Sequence, residues 1–334
     1  MQNSEHPLQD PGPQIKAPVR RKLMAKPFSW QDKAFFYTVR AAAGSSLVLV
    51  ALIFAFLLAR SLPALQQQGL GFVTGSVWDN STTPPLFQIG SMLWGSILIA
   101  FLGIILAVPM SVAVSYFIVF LAGKRVKAIA TTLIDLLAAL PSIVIGLWGI
   151  AVFAPAGAEW SQLINKYLGW LPFFSSTTNN FLGTPFIAGW IVAVMIVPII
   201  SSVTREIFSQ MDRELINAAL ALGGSKASTF LKVILPTASG GIVGGVLLGL
   251  GRALGETVAI FFVLNLSFDI NWAGVLESRG GSIASMILSK FGEADPKTEI
   301  PALLAAGLVL FIVTLLVNSL AAVIVDRAQP WRKI

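Results

Sequence analysis

The stretch that decides the fold is Pro236–Leu266, which reads P-T-A-S-G-G-I-V-G-G-V-L-L-G-L-G-R-A-L-G-E-T-V-A-I-F-F-V-L-N-L. Nearly every position is apolar or small, and the run exceeds the roughly 20 residues that a helix needs to cross a bilayer. Arg252 and Glu256 are its two charged residues. Because a charge at the bilayer centre costs at least ~2.5 kcal/mol, such residues usually face a protein interior or a water-filled path.

The spacing within this stretch predicts one helix that carries both charges on the same face. Arg252 and Glu256 are one turn apart, and Gly241, Gly245 and Gly249 form a stripe that would let another helix approach closely. We hypothesise that the helix lines a route for an anion, where the arginine offers bidentate hydrogen bonds and the glutamate holds the arginine in place. The alternative is a pair that only neutralises itself inside a helix bundle.

The composition is that of a polytopic, all-α membrane protein. Of 334 residues, 55% are hydrophobic and 12% are charged, whereas a soluble domain is about a quarter charged. There is no cysteine, and the single histidine, His6, lies in a polar tail. We therefore expect no metal site, no catalytic residue and no cofactor bound by this chain.

Six apolar stretches predict six transmembrane helices. They are Ala41–Leu62, Gly90–Leu121 with an interruption at Pro109, Ala128–Phe153, Phe186–Val203, Pro236–Leu266 and Ile300–Val325. This divides the chain into an N-terminal tail (1–40), a membrane domain (41–326) and a C-terminal tail (327–334). Within the third stretch, we expect Asp135 to be a structural acid at the start of the helix, with lining of the pathway as the alternative. We expect Pro141 to break or bend the helix.

The distribution of charge predicts the orientation. Six spans place both termini on one side, and that side carries most of the 23 basic residues. The opposite loops hold only Arg60, Lys166, Arg279, Lys290 and Lys297. The positive-inside rule then places both termini in the cytoplasm. Topology accounts for the net charge of +7, so nucleic acid is not needed as a partner.

The connection between the fourth and fifth spans, Thr204–Pro236, predicts two short helices on the cytoplasmic surface. Gly223 suits the turn between them and Ser225 suits the N-cap of the second helix, Lys226–Ile234, which Leu235-Pro236 would end. An apolar stripe runs along the first helix, formed by Leu215, Ala218, Ala219 and Leu222. The stripe indicates either a docking surface for another protein or a helix packed on its own spans.

The same connection resembles the EAA loop of ABC importer permeases, E-A-A-x3-G-x9-I-x-L-P. Asn217-Ala218-Ala219, Gly223 and Val233-x-Leu235-Pro236 match its spacing, with asparagine in place of the usual glutamate and valine in place of isoleucine. In that family the first short helix seats in a groove of the ATPase subunit. The resemblance implies a coupling segment at 204–236, with contacts from Glu214, Asn217, Ala218, Ala219, Gly223, Ser225, Leu235 and Pro236. The departure at Asn217 bears on a salt bridge to the ATPase rather than on docking.

Three further segments narrow the family. Gly251–Thr257 resembles the G-R-A-x-G-E-T segment of phosphate permease subunits, and Leu137–Gly149 is similar to their L-A-A-x-P-S-x3-G-L-W-G segment. Ala188–Glu206 resembles their fourth span. The long N-terminal tail and the loop Pro155–Pro185 favour the PstC-type subunit over its PstA-type partner. The chain is thus identified as a member of the PstC-type permeases, which implies a type I ABC importer permease fold.

Membership implies one half of the pathway of a bacterial inner-membrane phosphate importer. The other parts would be a second permease subunit of the PstA type, a homodimeric ATPase of the PstB type and an extracytoplasmic phosphate-binding protein of the PstS type. Arg252, Glu256, Thr257 and Ser142 would line the route of phosphate. The chain contains no G-x4-G-K-[ST] run, so ATP and Mg would belong to the ATPase.

Three other functions remain as alternatives. A permease for sulfate or molybdate is one, because a single arginine does not choose among tetrahedral anions. An intramembrane serine hydrolase using Ser142 or Ser201 is remote, since no span contains a histidine, a cysteine or a central lysine to act as its base. A gated channel would not need the coupling segment.

Overall fold

The structure, a computed structural model, describes residues 29–271 and 274–328. The basic cluster at Arg20–Lys22 and most of the C-terminal tail lie outside these ranges. Within them most of the chain is helical. Six helices are long and apolar enough to cross a membrane: Trp30–Gln68, Gly90–Leu121, Ser142–Leu168, Pro185–Ser209, Lys226–Leu254 and Glu299–Val323. The prediction of an all-α polytopic protein with six spans is confirmed.

The individual elements divide these spans further. The helices are α1 (Trp30–Gln68), α2 (Gly71–Thr74), α3 (Gly90–Tyr116), α4 (Lys124–Ala139), α5 (Ser142–Trp148), α6 (Ala154–Leu168), α7 (Pro185–Ser209), α8 (Arg213–Ala221), α9 (Lys226–Thr229), α10 (Leu235–Leu254), α11 (Val258–Val263), α12 (Ile283–Phe291) and α13 (Glu299–Ala328). Three π-helical turns, Phe117–Leu121, Gly149–Phe153 and Phe230–Ile234, follow α3, α5 and α9. The strands β1 (Trp78–Asp79) and β2 (Leu86–Phe87) pair antiparallel, Trp78 opposite Phe87.

The chain forms two compact units, one up to Leu52 and one from Ile53 onward. In the first unit, Ser29 and Asp32 start α1 by exchanging hydrogen bonds between side chain and backbone at 2.9 and 3.2 Å. This reciprocal capping satisfies two backbone donors of the first turn. The helix therefore begins earlier than the predicted start at Ala41 and extends past Leu62 to Gln68.

Helix α7 is the central packing element of the second unit. Most of its side chains are buried, and it packs between α3 and α10. On the α3 side, the hydroxyl groups of Ser111 and Ser115 donate to the carbonyl oxygens of Val197 and Ser201 at 3.2 and 2.9 Å. These bonds join two helices whose own backbone groups are already paired, as is common for hydroxyls between membrane helices.

The glycine stripe of α10 faces α7, as expected for a close helix contact. A Cβ atom on Gly249 would lie 2.9 Å from the side chain of Ile200, and one on Gly245 would lie 3.1 Å from Cβ of Val203. Both distances are shorter than ordinary van der Waals contact. The small residues therefore set how closely α10 approaches α7.

The third span differs from its prediction at both ends. Leu140 adopts an extended backbone before Pro141, as residues before proline tend to do, and the chain breaks there. Because of that break, the candidate span is Ser142–Leu168 and not Ala128–Phe153. The amphipathic helix α4 comes before it, and the first part of the predicted loop Pro155–Pro185 is the helix α6.

The sequence predicted an interruption at Pro109 and a helix end at Pro236, but both prolines lie inside continuous helices. The helix that starts at Lys226 runs through Leu235-Pro236 to Leu254, so the prediction that this pair ends it is wrong. A π-helical turn comes before the proline, and Leu235 N–H bonds to the carbonyl of Phe230, five residues back. The same arrangement before Pro155 joins Ala154 N–H to Gly149. The wider turn relieves the clash and the lost hydrogen bond that proline otherwise causes.

The prediction for Asp135 is also wrong. Asp135 lies near the end of α4 rather than at a helix start, and its Oδ1 accepts from Nη2 of Arg205 on α7 at 3.0 Å. Since the side chain of Arg205 is only 17% exposed, this ion pair attaches α4 to α7.

The glycine contact gives a test of the packing. We expect Gly249→Val to lower the apparent melting temperature of the purified protein in detergent by several degrees, because overpacking a tight helix contact costs ~1–3 kcal/mol. Thermal unfolding followed by tryptophan fluorescence measures the shift. The matched control is Gly244→Val on the same helix, where an added Cβ meets no atom within 4 Å. Equal shifts in both variants would contradict the packing role of the stripe.

Candidate functional site

The two charges of the opening stretch lie on either side of a helix break. Helix α10 ends at Leu254, where the Gly255 N–H still bonds to the carbonyl of Gly251 at 3.3 Å. Helix α11 then starts at Val258 with Thr257 as its N-cap residue. Arg252 is therefore in the last turn of α10 and Glu256 is in the connection. The prediction that the two share one helix face is wrong.

Glu256 has a structural role at this break. Its side chain is buried, and Oε1 accepts from the backbone N–H of Ala259 in the first turn of α11 at 3.2 Å. A carboxylate at this position satisfies an unpaired donor and interacts favourably with the helix dipole. The Thr257 hydroxyl donates to the carbonyl of Gly255 at 3.1 Å. Polar side chains thus satisfy the backbone where the helix is interrupted.

Arg252 has no such partner. Its side chain is exposed on the surface of the chain, and no hydrogen bond or ion pair joins it to any other described residue. The guanidinium group can donate five hydrogen bonds in a planar fork that suits oxyanions. A group of this kind on an apolar span is available for a ligand or for another subunit.

The break at Pro141 comes directly before helix α5. This helix packs against α11, which follows the break between α10 and α11. Helix α5 contacts α11, and a Cβ on Gly146 would lie 2.8 Å from Cα of Ala259. Ser142 is half-buried at the start of α5. Within the described ranges no hydrogen bond connects Ser142 with Arg252, Glu256 or Thr257. The structure thus brings together the two interrupted helices but not all four predicted side chains.

An apolar groove of about 350 Å³ lies beside the first break. Its walls are Leu137, Leu140, Val144, Ile145, Trp148 and Val194. None of these side chains carries a charge, and the indole N–H of Trp148 is the one side-chain donor among them. The polar chemistry of this region comes from the residues at the second break.

The segment between α7 and α10 contains the first predicted short helix, α8, and a second helix that starts at Lys226 as predicted but continues into the fifth span. The side chain of Asp212 caps α8 by accepting from Glu214 N–H at 2.8 Å, and Ser225 caps α9 by accepting from Ser228 N–H at 3.1 Å. Gly223 lies between them with φ +84°, a conformation that glycine adopts without strain. The predictions for the turn and for the Ser225 cap are confirmed.

The two sides of α8 have different surroundings. Ile216 packs into a cluster with Phe208 on α7 and Ile242 on α10. On the other side, Glu214, Leu215, Asn217 and Ala218 are exposed, and Leu222 just beyond the helix is 90% exposed. The helix therefore packs on its own spans through one side. On the other side it exposes an apolar stripe, Leu215, Ala218 and Leu222, flanked by Glu214 and Asn217.

Sequence reasoning missed the helix break, although it left a signal. Leu254-Gly255 followed by Glu256-Thr257 before an apolar run combines a glycine C-cap with polar N-terminal residues. Asn318 in the sixth span was also missed. Its Oδ1 is buried without a hydrogen-bond partner among the described residues, and a single amide in an apolar helix was visible in the sequence.

The fold and the site define a class. Six spans, with a short amphipathic helix between the fourth and the fifth, give the fold of a type I ABC importer permease. The chain aligns over 88% of its length, and over 99% of the other chain, with a subunit of a bacterial ABC transporter involved in the import of the acidic polysaccharide alginate. The TM-score is 0.52 at 15% identity, which establishes similarity of fold alone.

Sequence comparisons specify the family. The model of binding-protein-dependent transport system inner membrane components matches residues 100–330. The chain is 37% identical over 299 residues to the phosphate transport system permease protein PstC 2 of Mycobacterium tuberculosis, covering 88% of this chain and 92% of that protein. It is 35% identical over 309 residues to PstC of Haemophilus influenzae, covering 90% and 95%.

The chain therefore belongs to the family of binding-protein-dependent transport system inner membrane components, and within it to the PstC-type permeases. The predicted family is confirmed. Its relatives are named as transport permeases and not as enzymes, in agreement with the expectation for this chain. The residues that the structure describes contain no group of His, Asp or Glu side chains arranged to hold a metal ion.

The cap formed by Glu256 can be tested separately from transport. We expect Glu256→Leu to lower the apparent melting temperature, because the buried N–H of Ala259 would lose its acceptor at a cost of ~1–3 kcal/mol. Glu256→Gln keeps an oxygen in that position and should stay closer to the wild type. Thermal unfolding in detergent measures both. A glutamine variant as unstable as the leucine variant would show that charge, and not the capping bond, stabilises the break.

Proposed function

We propose that the protein is a membrane-spanning subunit of an ATP-driven phosphate importer and forms half of its translocation pathway. The similarity to PstC permease proteins over about nine-tenths of the chain carries this proposal. Those proteins are named for phosphate transport. The family match over residues 100–330 includes both helix breaks.

The geometry supports a route for an anion past Arg252. The guanidinium lies at the end of α10 with all its donors unused by described residues, and Glu256 is held nearby through the cap of α11. The N-terminal ends of interrupted membrane helices carry a partial positive charge that favours anions. Thr257 and Ser142, each at the start of such a helix, would complete the polar lining.

The proposal includes specific partners. A PstA-type permease would cover the open side of the chain that carries Arg252, and a PstS-type binding protein would deliver phosphate from outside. A homodimeric PstB-type ATPase would bind ATP and Mg. Both termini would be cytoplasmic in a bacterial inner membrane, with tails at 1–40 and 327–334 and the membrane domain at 41–326 between them.

The coupling segment 204–236 would transmit the work of the ATPase. Glu214, Asn217 and Ala218 lie on the exposed side of α8, where a groove of the ATPase could receive them. The opposite side packs through Ile216 on α7 and α10. A displacement of α8 would therefore move the helix that carries Arg252. This arrangement suits alternating access, in which helices rock around a fixed central site.

The remaining members of the segment shape it. Ala219 lies half-buried toward the spans, and Gly223 and Ser225 form the turn and the second cap. Leu235 and Pro236 join the segment to α10 through a π-helical turn. The segment is thus continuous with the helix that ends at the candidate pathway.

Removing the arginine tests the pathway. We expect Arg252→Ala to reduce phosphate uptake at least thirtyfold, because a desolvated charge-assisted contact contributes ~2 kcal/mol or more. Labelled phosphate uptake into vesicles that contain the assembled transporter measures the effect, with Lys297→Ala as a control for removal of an exposed positive charge. Competition by sulfate and molybdate in the same vesicles tests the alternative substrates. Unchanged uptake by an assembled Arg252→Ala complex would exclude the residue from the pathway.

Changing the exposed stripe tests coupling. We expect Leu222→Asp to reduce recovery of the ATPase with the tagged chain and to abolish ATP-dependent uptake, since a charge would replace an apolar contact. The matched control is Leu70→Asp in the loop after α1, where leucine is 84% exposed but lies, by the proposed topology, on the opposite side of the membrane. Equal loss of the ATPase in both variants would contradict docking at this segment.

A further inference from the structure

Asn318 is an unsatisfied polar side chain within the last candidate span, Glu299–Val323. Its Oδ1 is buried and accepts no hydrogen bond from any described residue. Thr314, one turn earlier on α13, instead donates to its own helix at the carbonyl of Leu310, at 2.8 Å. An amide in an apolar span normally has a partner, because nothing in hydrocarbon replaces one.

The amide nitrogen of Asn318, Nδ2, shows which helix lies beside this side chain. A Cβ on Gly251 would lie 3.5 Å from Nδ2 of Asn318, so the amide lies against the last turn of α10. The backbone N–H groups of this turn bond within α10, and the next one, of Gly255, bonds to the carbonyl of Gly251. Arg252 follows Gly251 directly, and none of the five N–H donors of its guanidinium bonds to a described residue.

We propose that Asn318 positions Arg252, with Oδ1 accepting a hydrogen bond from the guanidinium and directing its remaining donors toward the anion. The inference rests on the proposed function, since it assigns a second residue to the same site. It satisfies both unpaired groups at once. The long arginine stem gives the guanidinium the reach to turn from the exposed side of α10 toward α13.

A double-mutant cycle on phosphate uptake tests this role in the assembled transporter. We expect Asn318→Leu, of similar size but without polar atoms, to lower uptake about tenfold through the loss of a hydrogen bond to a charged group. In an Arg252→Lys background the same change should cost less than about twofold, because a point charge has no planar fork to orient. Thr314→Val serves as the matched control on α13.

The outcomes distinguish the two proposals. An equal factor for Asn318→Leu in both backgrounds would overturn the positioning role while leaving phosphate transport intact. Absence of phosphate uptake by the wild-type complex would instead overturn the proposed function. The proximity of Asn318 to Arg252 would then be tested by a measurement that does not involve uptake.

That measurement uses the natural absence of cysteine from the chain. A nearby cation favours the reactive thiolate form of a cysteine and attracts an anionic reagent. We therefore expect an anionic thiosulfonate to label the Asn318→Cys thiol several-fold more slowly when Arg252→Ala is added. The neighbouring Ser319→Cys, on another side of α13, should be insensitive to that change. A labelling rate at position 318 that does not depend on Arg252 would overturn the inference.

Discussion

In hydrocarbon, every backbone donor and acceptor must find a partner within the protein, and this requirement governs each interruption in the structure. At the end of α10 the carboxylate of Glu256 and the hydroxyl of Thr257 supply the partners. Before Pro155 and Pro236 the helix widens into a π-helical turn, and the bonds shift to residues five positions back. At these three places a polar side chain or a wider turn pairs the backbone groups that would otherwise lack a partner.

The packing of α7 explains how the two candidate sites can influence each other. Its buried side chains meet α3 on one side and the glycine stripe of α10 on another. At its far end, Phe208 joins Ile216 of α8 and Ile242 of α10 in one apolar cluster. These contacts connect α8 with α10 through a single cluster. Under the proposed mechanism, a displacement of the exposed stripe would be passed to the helix that ends with Arg252.

Much of this fold could be predicted from the sequence because the signals are local. Six apolar runs gave the number of spans, and Gly223 and Ser225 located the turn and cap between two short helices. The misplaced boundaries depend on tertiary structure. Pro141 breaks its helix while Pro155 and Pro236 do not, and the difference is the hydrogen-bond register before each proline, which composition does not determine. The partner of Asp135, Arg205, is 70 residues away in sequence.

The sequence left two hypotheses open for Arg252 and Glu256: a route for an anion, and a pair of charges that only neutralises itself. The separation of the two residues helps to decide between them. A pair that only neutralised itself would need both charges within bonding distance, as on one turn of a continuous helix. Instead, the glutamate belongs to the cap of α11 and the arginine belongs to α10, with a glycine between the two helices. Each charge therefore moves with a different element. This favours the pathway hypothesis. An arginine without a fixed counter-ion can bind an anion in one conformation and release it in another. A permanently paired arginine would have to break its ion pair in every transport cycle.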